Sequence, residues 1–397
     1  MRTLRFAFPL LVLLIACAVL AQSQELCQGH YYTEEQGAAK LSTLRNRLTN
    51  LNDWQARADS LRAHVRKGME LDVTPKLTPL NPRFRNKKEL NGYTVESVAF
   101  ESLPGFFVTG NLYRPSGKHK QKSLAVVLMP HGHFSKEDDY GRFRRDVQHN
   151  AAAMARMGAL VFAYDMVGWG ESVQLPHKHE KTLAFQTWNS MRAVDFMLTF
   201  PEADPKRIAV TGASGGGTQT FMLAALDNRI SVAVPVVMVS AHFFGGCSCE
   251  SGMPVHKNGN TVYTNAEIAS SIAPRPLLLI SNGNDWTKNN PDVEFPFARH
   301  VYKLYGKESH VELVHFPEEG HDYGISKRLA AYRFLSKHLG LDLGAITGAD
   351  GQVTEDFVSI QSRKDLSFFD PAELDRLVKG DAVYKTFVEA KRRNSTR

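Results

Sequence analysis

Ser214 stands in Gly212-Ala213-Ser214-Gly215-Gly216, after the apolar β-branched run Ile208-Ala209-Val210-Thr211 and before the helix-like stretch Thr218 to Leu226. A strand-to-helix turn this tight has no room for Cβ atoms two positions either side of the serine, so glycines are required there. The serine is pushed into the open on strained backbone, and the positive end of the following helix points at a reacting oxygen. Alone, such a turn could equally pack closely or cradle a phosphate. Two later loops decide between these uses. Pro276 to Ser281 is an apolar strand followed by Asn282-Gly283-Asn284-Asp285, and Val311 to Phe316 is a strand followed by Pro317-Glu318-Glu319-Gly320-His321-Asp322. A serine hydroxyl becomes a nucleophile when a histidine takes its proton and a carboxylate orients that histidine. Ser214, Asp285 and His321 on three post-strand loops are the expected catalytic triad. Asp292, Glu318, Glu319 and Asp322 are the competing acids, read as solvated carboxylates.

Developing negative charge on a carbonyl oxygen needs fixed N–H donors. Gly215, directly after the nucleophile, supplies one expected donor. The other is His133, in Pro130-His131-Gly132-His133 after the strand Ala125 to Met129, where the glycine lets backbone approach the substrate. The side chains of His131 and His133 are read as structural. His131, His133, His177 and His179 form two His-x-His pairs without a carboxylate at helical spacing, a weak metal signal. No metal and no cofactor are expected.

Arg2 and Arg5 precede the apolar run Leu10 to Ala16, the pattern of an export signal, and the run is too short to span a bilayer. Residues 1–23 are assigned to a signal peptide, with a secreted or periplasmic destination. Leu14-Ile15-Ala16-Cys17 gives the alternative of a lipoprotein signal ending before Cys17, whose acylation would tether the protein to a membrane. Three cysteines then remain, Cys27, Cys247 and Cys249, and a bridge from Cys27 to either of the others is set against three thiols with no catalytic part. Of 397 residues 43% are hydrophobic and 22% charged, enough apolar material for a large single core, and the net charge of +7 is scattered. No nucleic-acid motif accompanies it, and no nucleic-acid partner is expected. Oligomeric state is not legible.

The elements that must position these residues follow from periodicity. Thr33 to Met69 reads as two helices broken near Asn50 to Asp53, with Asn52 or Asp53 capping the second. Thr74 to Pro82 runs extended, and Pro104-Gly105 joins the strands Thr94 to Glu101 and Phe106 to Tyr113 into a hairpin. From Leu124 strands and helices alternate, the signature of a mostly parallel sheet flanked by helices. The division is an N-terminal helical extension at 24–82, a main domain at 83–342 and a tail at 343–397. The Gly-, Ser- and Cys-rich stretch at about 238–271 is the expected substrate lid.

Tyr93 to Glu96, Pro104-Gly105-Phe106, Gly110 to Pro115, the His131 loop, the Ser214 elbow, Ala273 to Pro276 and Glu319 to Asp322 together resemble the acetyl xylan esterase and dienelactone hydrolase-like branch of the α/β-hydrolases. The resemblance runs through roughly Tyr93 to Leu341. It implies an α/β-hydrolase fold and an exported serine esterase acting on acetyl-type esters of carbohydrate, and it carries over Ser214, Asp285, His321, Gly215 and His133. The sequence departs from the cephalosporin-deacetylase type, which has Gln after the nucleophile where this chain has Gly215. Trp286, Trp169 and Glu250 are the candidate substrate contacts, the tryptophans as faces for a sugar ring. A prolyl-oligopeptidase-like peptidase and an inactive carbohydrate-binding homologue are the alternatives. The first lacks room for a propeller, and the second is opposed by a complete triad.

Overall fold

The computed structural model describes residues 26–136 and 139–395. The expected signal peptide at 1–23 and the alternative acylation of Cys17 fall outside the described residues. Strands β1 (Arg83–Glu89), β2 (Tyr93–Leu103), β3 (Phe106–Pro115), β4 (Leu124–Pro130), β5 (Ala159–Tyr164), β6 (Ala203–Ala213), β7 (Val232–Val236), β8 (Leu277–Asn282) and β9 (Val311–Phe316) form one sheet. Its spatial order is β1-β2-β3-β5-β4-β6-β7-β8-β9. The first three strands are antiparallel, and the six from β4 onward pair in parallel. β4, β5, β7 and β8 are buried throughout, which is why they read as continuous apolar runs rather than alternating ones. β1 (RFRNKKE) is a charged, mostly exposed edge that sequence periodicity does not reveal.

Helices cover both faces. On one, α1 (Glu34–Arg47), α2 (Leu51–Gly68), α4 (Thr182–Met197) and α5 (Gly215–Leu226) enclose a core containing Trp54, Leu61, Phe185, Phe196 and Phe221. On the other, α3 (Arg145–Arg156) and the helix Ile325–Leu339 bury Ala151 to Ala155, Tyr332 and Leu335. α2 is capped by Asn50, whose side chain accepts from the Asp53 N–H, in place of the expected Asn52 or Asp53; an N-cap must precede the first turn in extended backbone, and Asn50 does so at φ −146°, ψ 169°.

Two of the expected segments make close contacts with the rest of the chain. The stretch 238–271 is largely buried and carries the short helices Ser248–Ser251 and Asn265–Ser270. It is laced to the N-terminal segment by Gly29 N–H to Gly245 O (2.7 Å) and by the His30–Phe243 bridge. The expected tail folds back onto the domain. Buried Arg142 holds Asp165 at 2.9 Å and also pairs with Glu171, which accepts the Phe368 and Phe369 N–H groups. The helix Asp381–Ser395 sets Phe387 5.0 Å from Phe185.

Candidate active site

The turn at Ser214 is forced by its neighbours. Ser214 has φ 57° and ψ −124°, a conformation that costs a non-glycine residue of order 1–3 kcal/mol and persists only where the surroundings impose it. A Cβ on Gly212 would lie 2.3 Å from Pro130 O, and one on Gly216 2.4 Å from the same oxygen. The loop after β4 therefore presses against the elbow, and at Gly132 a Cβ would stand 3.0 Å from Ser214 Cβ. α5 begins at Gly215, so the Gly215 N–H is among the donors a helix leaves without an internal acceptor.

His131 fixes the other side of that loop. Its Nδ1–H donates to Gly132 O at 2.9 Å while Nε2 accepts the Met166 N–H at 3.1 Å. Burial pushes its pKa down to about 4, so the ring is neutral and structural. The His133 imidazole covers Gly215: a Cβ there would fall 2.6 Å from His133 Cε1.

His321 Nδ1 donates to Asp285 Oδ2 at 2.6 Å, and Asp285 Oδ1 accepts from the Thr287 N–H and hydroxyl, each at 2.6 Å. The Asp285 side chain is 3% exposed. With Nδ1 engaged by Asp285, the imidazole is left with Nε2 for proton transfer. The two loops are welded together. Gly283 sits where a Cβ would be 1.9 Å from Pro317 O, and Asn282 Nδ2 donates to Gly320 O. Of the competing acids, Glu319 and Asp322 are both held by buried Lys327 Nζ at 2.7 Å, while Asp292 and Glu318 are exposed. Lys327, on the helix that follows, shapes the histidine loop and is not singled out by the sequence.

Trp286 packs 4.5 Å from His321 and stacks on Phe243 at 4.0 Å, while Trp169 lies 5.9 Å from the His133 ring. Both reach the site. Glu250 does not present itself as a surface contact: it is 4% exposed and accepts the Cys247 N–H at 3.1 Å.

The histidine pairs are split. His131 is spent as above, and His179 Nδ1 accepts the Lys181 N–H. His133 and His177 instead converge on Cys247 and Cys249, with His133 Nε2 2.8 Å from Cys249 Sγ and His177 Nε2 3.1 Å from Cys247 Sγ. The Cys247 thiol is pulled down to about 2, first by its hydrogen bond with Cys249 and, against burial, by His133 and His177; burial pushes Cys249 up. For His133, burial lowers the pKa, but the Cys247 hydrogen bond and the Glu250 charge outweigh it and the net shift is upward. Cys27, considered as a bridge partner, packs instead with Phe244 and Val262.

The fold and the elbow are shared with known proteins. A family model described as acetyl xylan esterase matches residues 179–245. Among solved structures, methylesterase BT1017 is 34% identical, with alignment over 92% of this chain and 83% of that one and a TM-score of 0.81. The chain belongs to the α/β-hydrolases, in their acetyl xylan esterase and dienelactone hydrolase-like branch. A glucuronoyl esterase from Solibacter usitatus, 14% identical over 73% of this chain and 94% of its own with a TM-score of 0.52, has the same fold. A polyketide transferase, claH, of Penicillium crustosum is 29% identical over 141 residues; that match spans 36% of this chain and only 43% of the relative.

Proposed function

We propose that this α/β-hydrolase is an exported serine esterase that cleaves carboxylic esters carried by carbohydrate. The reading rests above all on one observation, the His321–Asp285 bond of 2.6 Å, taken together with a Ser214 held at φ 57°. Ser214 Oγ attacks the ester carbonyl while His321 Nε2 takes its proton, and the imidazolium is stabilised by Asp285. The tetrahedral oxyanion accepts from the Gly215 and His133 N–H groups. Collapse expels the alcohol with the proton returned by His321, leaving an acyl-Ser214 ester that water hydrolyses by the same route in reverse. Trp286 and Trp169 flank the cleft as apolar faces for sugar rings.

The match to the acetyl xylan esterase family model supports an acetyl group on a sugar hydroxyl. The higher, nearly full-length likeness to a methylesterase supports a second reading, the methyl ester of a sugar carboxylate, in which the carbohydrate is the acyl part and methanol leaves. Incubation with acetylated xylan and with methyl-esterified pectin, measuring acetate and methanol, separates them. Release of one product, lost in Ser214→Ala, is expected; release of neither from any polysaccharide ester, or efficient cleavage of a peptide amide, overturns the reading.

A further inference from the structure

Beside the nucleophile, on the far side of the His133 ring, four side chains from three separate loops point at one spot. His133 follows β4, His177 lies between β5 and α4, and Cys247 and Cys249 flank the start of the short helix Ser248–Ser251. The partners are 116 positions apart for His133 and Cys249 and 70 for His177 and Cys247, so the fold, not local spacing, assembles the group. One ring nitrogen of each histidine and the two thiol Sγ atoms all lie within 4.8 Å of one another. A tetrahedral ion with metal–sulfur bonds of about 2.3 Å and metal–nitrogen bonds of about 2.0–2.1 Å holds its ligands roughly 3.3–3.8 Å apart, within the range these atoms span.

The surrounding contacts set the imidazoles for ligation. His177 Nδ1–H donates to Val167 O at 2.7 Å, which leaves Nε2 as a lone pair facing the sulfurs. His133 turns Nδ1 toward Glu250 Oε1, 3.6 Å away, and Nε2 toward Cys249. Glu250 in turn holds the Cys247 N–H. A carboxylate behind one histidine and a backbone carbonyl behind the other are the outer contacts that ligating histidines carry.

We infer that His133, His177, Cys247 and Cys249 form a closed structural site for one zinc ion, which clamps the oxyanion loop to the 247–249 loop. Two thiolates and two imidazoles in tetrahedral array favour Zn²⁺ over hard, oxygen-seeking cations, and four protein ligands leave no position for water. The expectation of no metal drawn from the two His-x-His pairs is thereby replaced, because only one histidine of each pair takes part and the cysteines lie far away in sequence. His133 has two duties, its N–H toward the oxyanion and its ring toward the ion, so the ion would fix one oxyanion donor without touching substrate.

The test is metal content, which does not depend on whether the protein is an esterase. The full chain, expressed without a histidine tag in zinc-supplemented medium, is expected to carry one zinc per chain by plasma mass spectrometry. Cys249→Ser and His177→Ala should bring this well below one, while Cys27→Ser leaves it at one. Glu250→Gln should weaken zinc affinity about 10- to 100-fold in a chelator competition. Cobalt exchanged into the purified chain should give the visible bands of a tetrahedral ion and a thiolate charge-transfer band, and Cys249→Ser should remove the latter. Purified protein without zinc that fails to take up zinc or cobalt, or that carries a Cys247–Cys249 disulfide in a non-reducing peptide map, overturns the site.

Discussion

Replacing Gly132 by alanine tests the packing of the proposed oxyanion loop against Ser214, the proposed nucleophile. The new Cβ would meet Ala213 O at 2.6 Å, Phe134 Cε2 at 2.8 Å and Ser214 Cβ at 3.0 Å, against an ordinary carbon contact of about 3.5–4.0 Å. Phe134 can turn aside. Ala213 O and Ser214 Cβ cannot, because they belong to an elbow already wedged between Pro130 and α5. The loop must retreat by roughly 0.5–1 Å, and the His133 N–H goes with it. Misplacement of that size costs on the order of 100-fold in rate, about 2.7 kcal/mol of barrier, which is also the scale of losing one oxyanion donor. Because the donor acts on charge that develops only in the transition state, kcat for p-nitrophenyl acetate should fall while KM stays nearly constant. Gly320→Ala is the contrast: it is also in a catalytic loop, but nothing lies within 4 Å of its Cβ and its φ is not positive. Its rate should stay within about threefold of the parent. A Gly132→Ala enzyme with parental kcat, or equal losses in both variants, would refute the reasoning.

The remaining expectations concern the acid and a buried carboxyl. Asp285→Asn puts an amide N–H where His321 Nδ1–H now donates, selects the wrong tautomer, and should cost about 10⁴-fold in kcat; a nearly silent substitution would remove Asp285 from the triad. Glu294 is buried, with the Ala241 N–H (2.7 Å) and Asn290 Nδ2 (3.2 Å) among its partners, and burial, against its hydrogen bonds, pushes its pKa up to about 7. The folded chain therefore holds this proton where the unfolded chain, near 4.5, has released it. The associated stability is full below pH 4.5 and is lost as pH rises through 7, by about 3 kcal/mol. Urea midpoints at pH 5 and pH 8 should fall less with rising pH in Glu294→Gln than in the parent; parallel declines would exclude Glu294 as the source.

The proposed triad could be read from the sequence because its chemistry demands a local signature: glycines around Ser214, and an acid and a histidine each closing an apolar strand. The parallel sheet was legible for a related reason, since β4, β5, β7 and β8 are buried on both faces and leave unbroken apolar runs. Elements whose role depends on distant partners were not. The charged strand Arg83–Glu89 has no apolar period, and the segment after 343 is held by Arg142 and Glu171, which lie some two hundred positions earlier. Lys327 and the Cys247–Cys249 cluster escaped for the same reason: each gains its meaning from groups that only the tertiary fold brings within reach.

The central claim is that Ser214 is the nucleophile, and active-site labelling tests it most directly. An alkyl fluorophosphonate added in slight excess should give one covalent adduct per chain by intact mass, mapped to the peptide carrying Ser214. Ser214→Ala should take up none and lose several orders of magnitude in ester turnover while keeping its fold by circular dichroism. An adduct on another residue, or most of the turnover surviving in Ser214→Ala, would contradict the account.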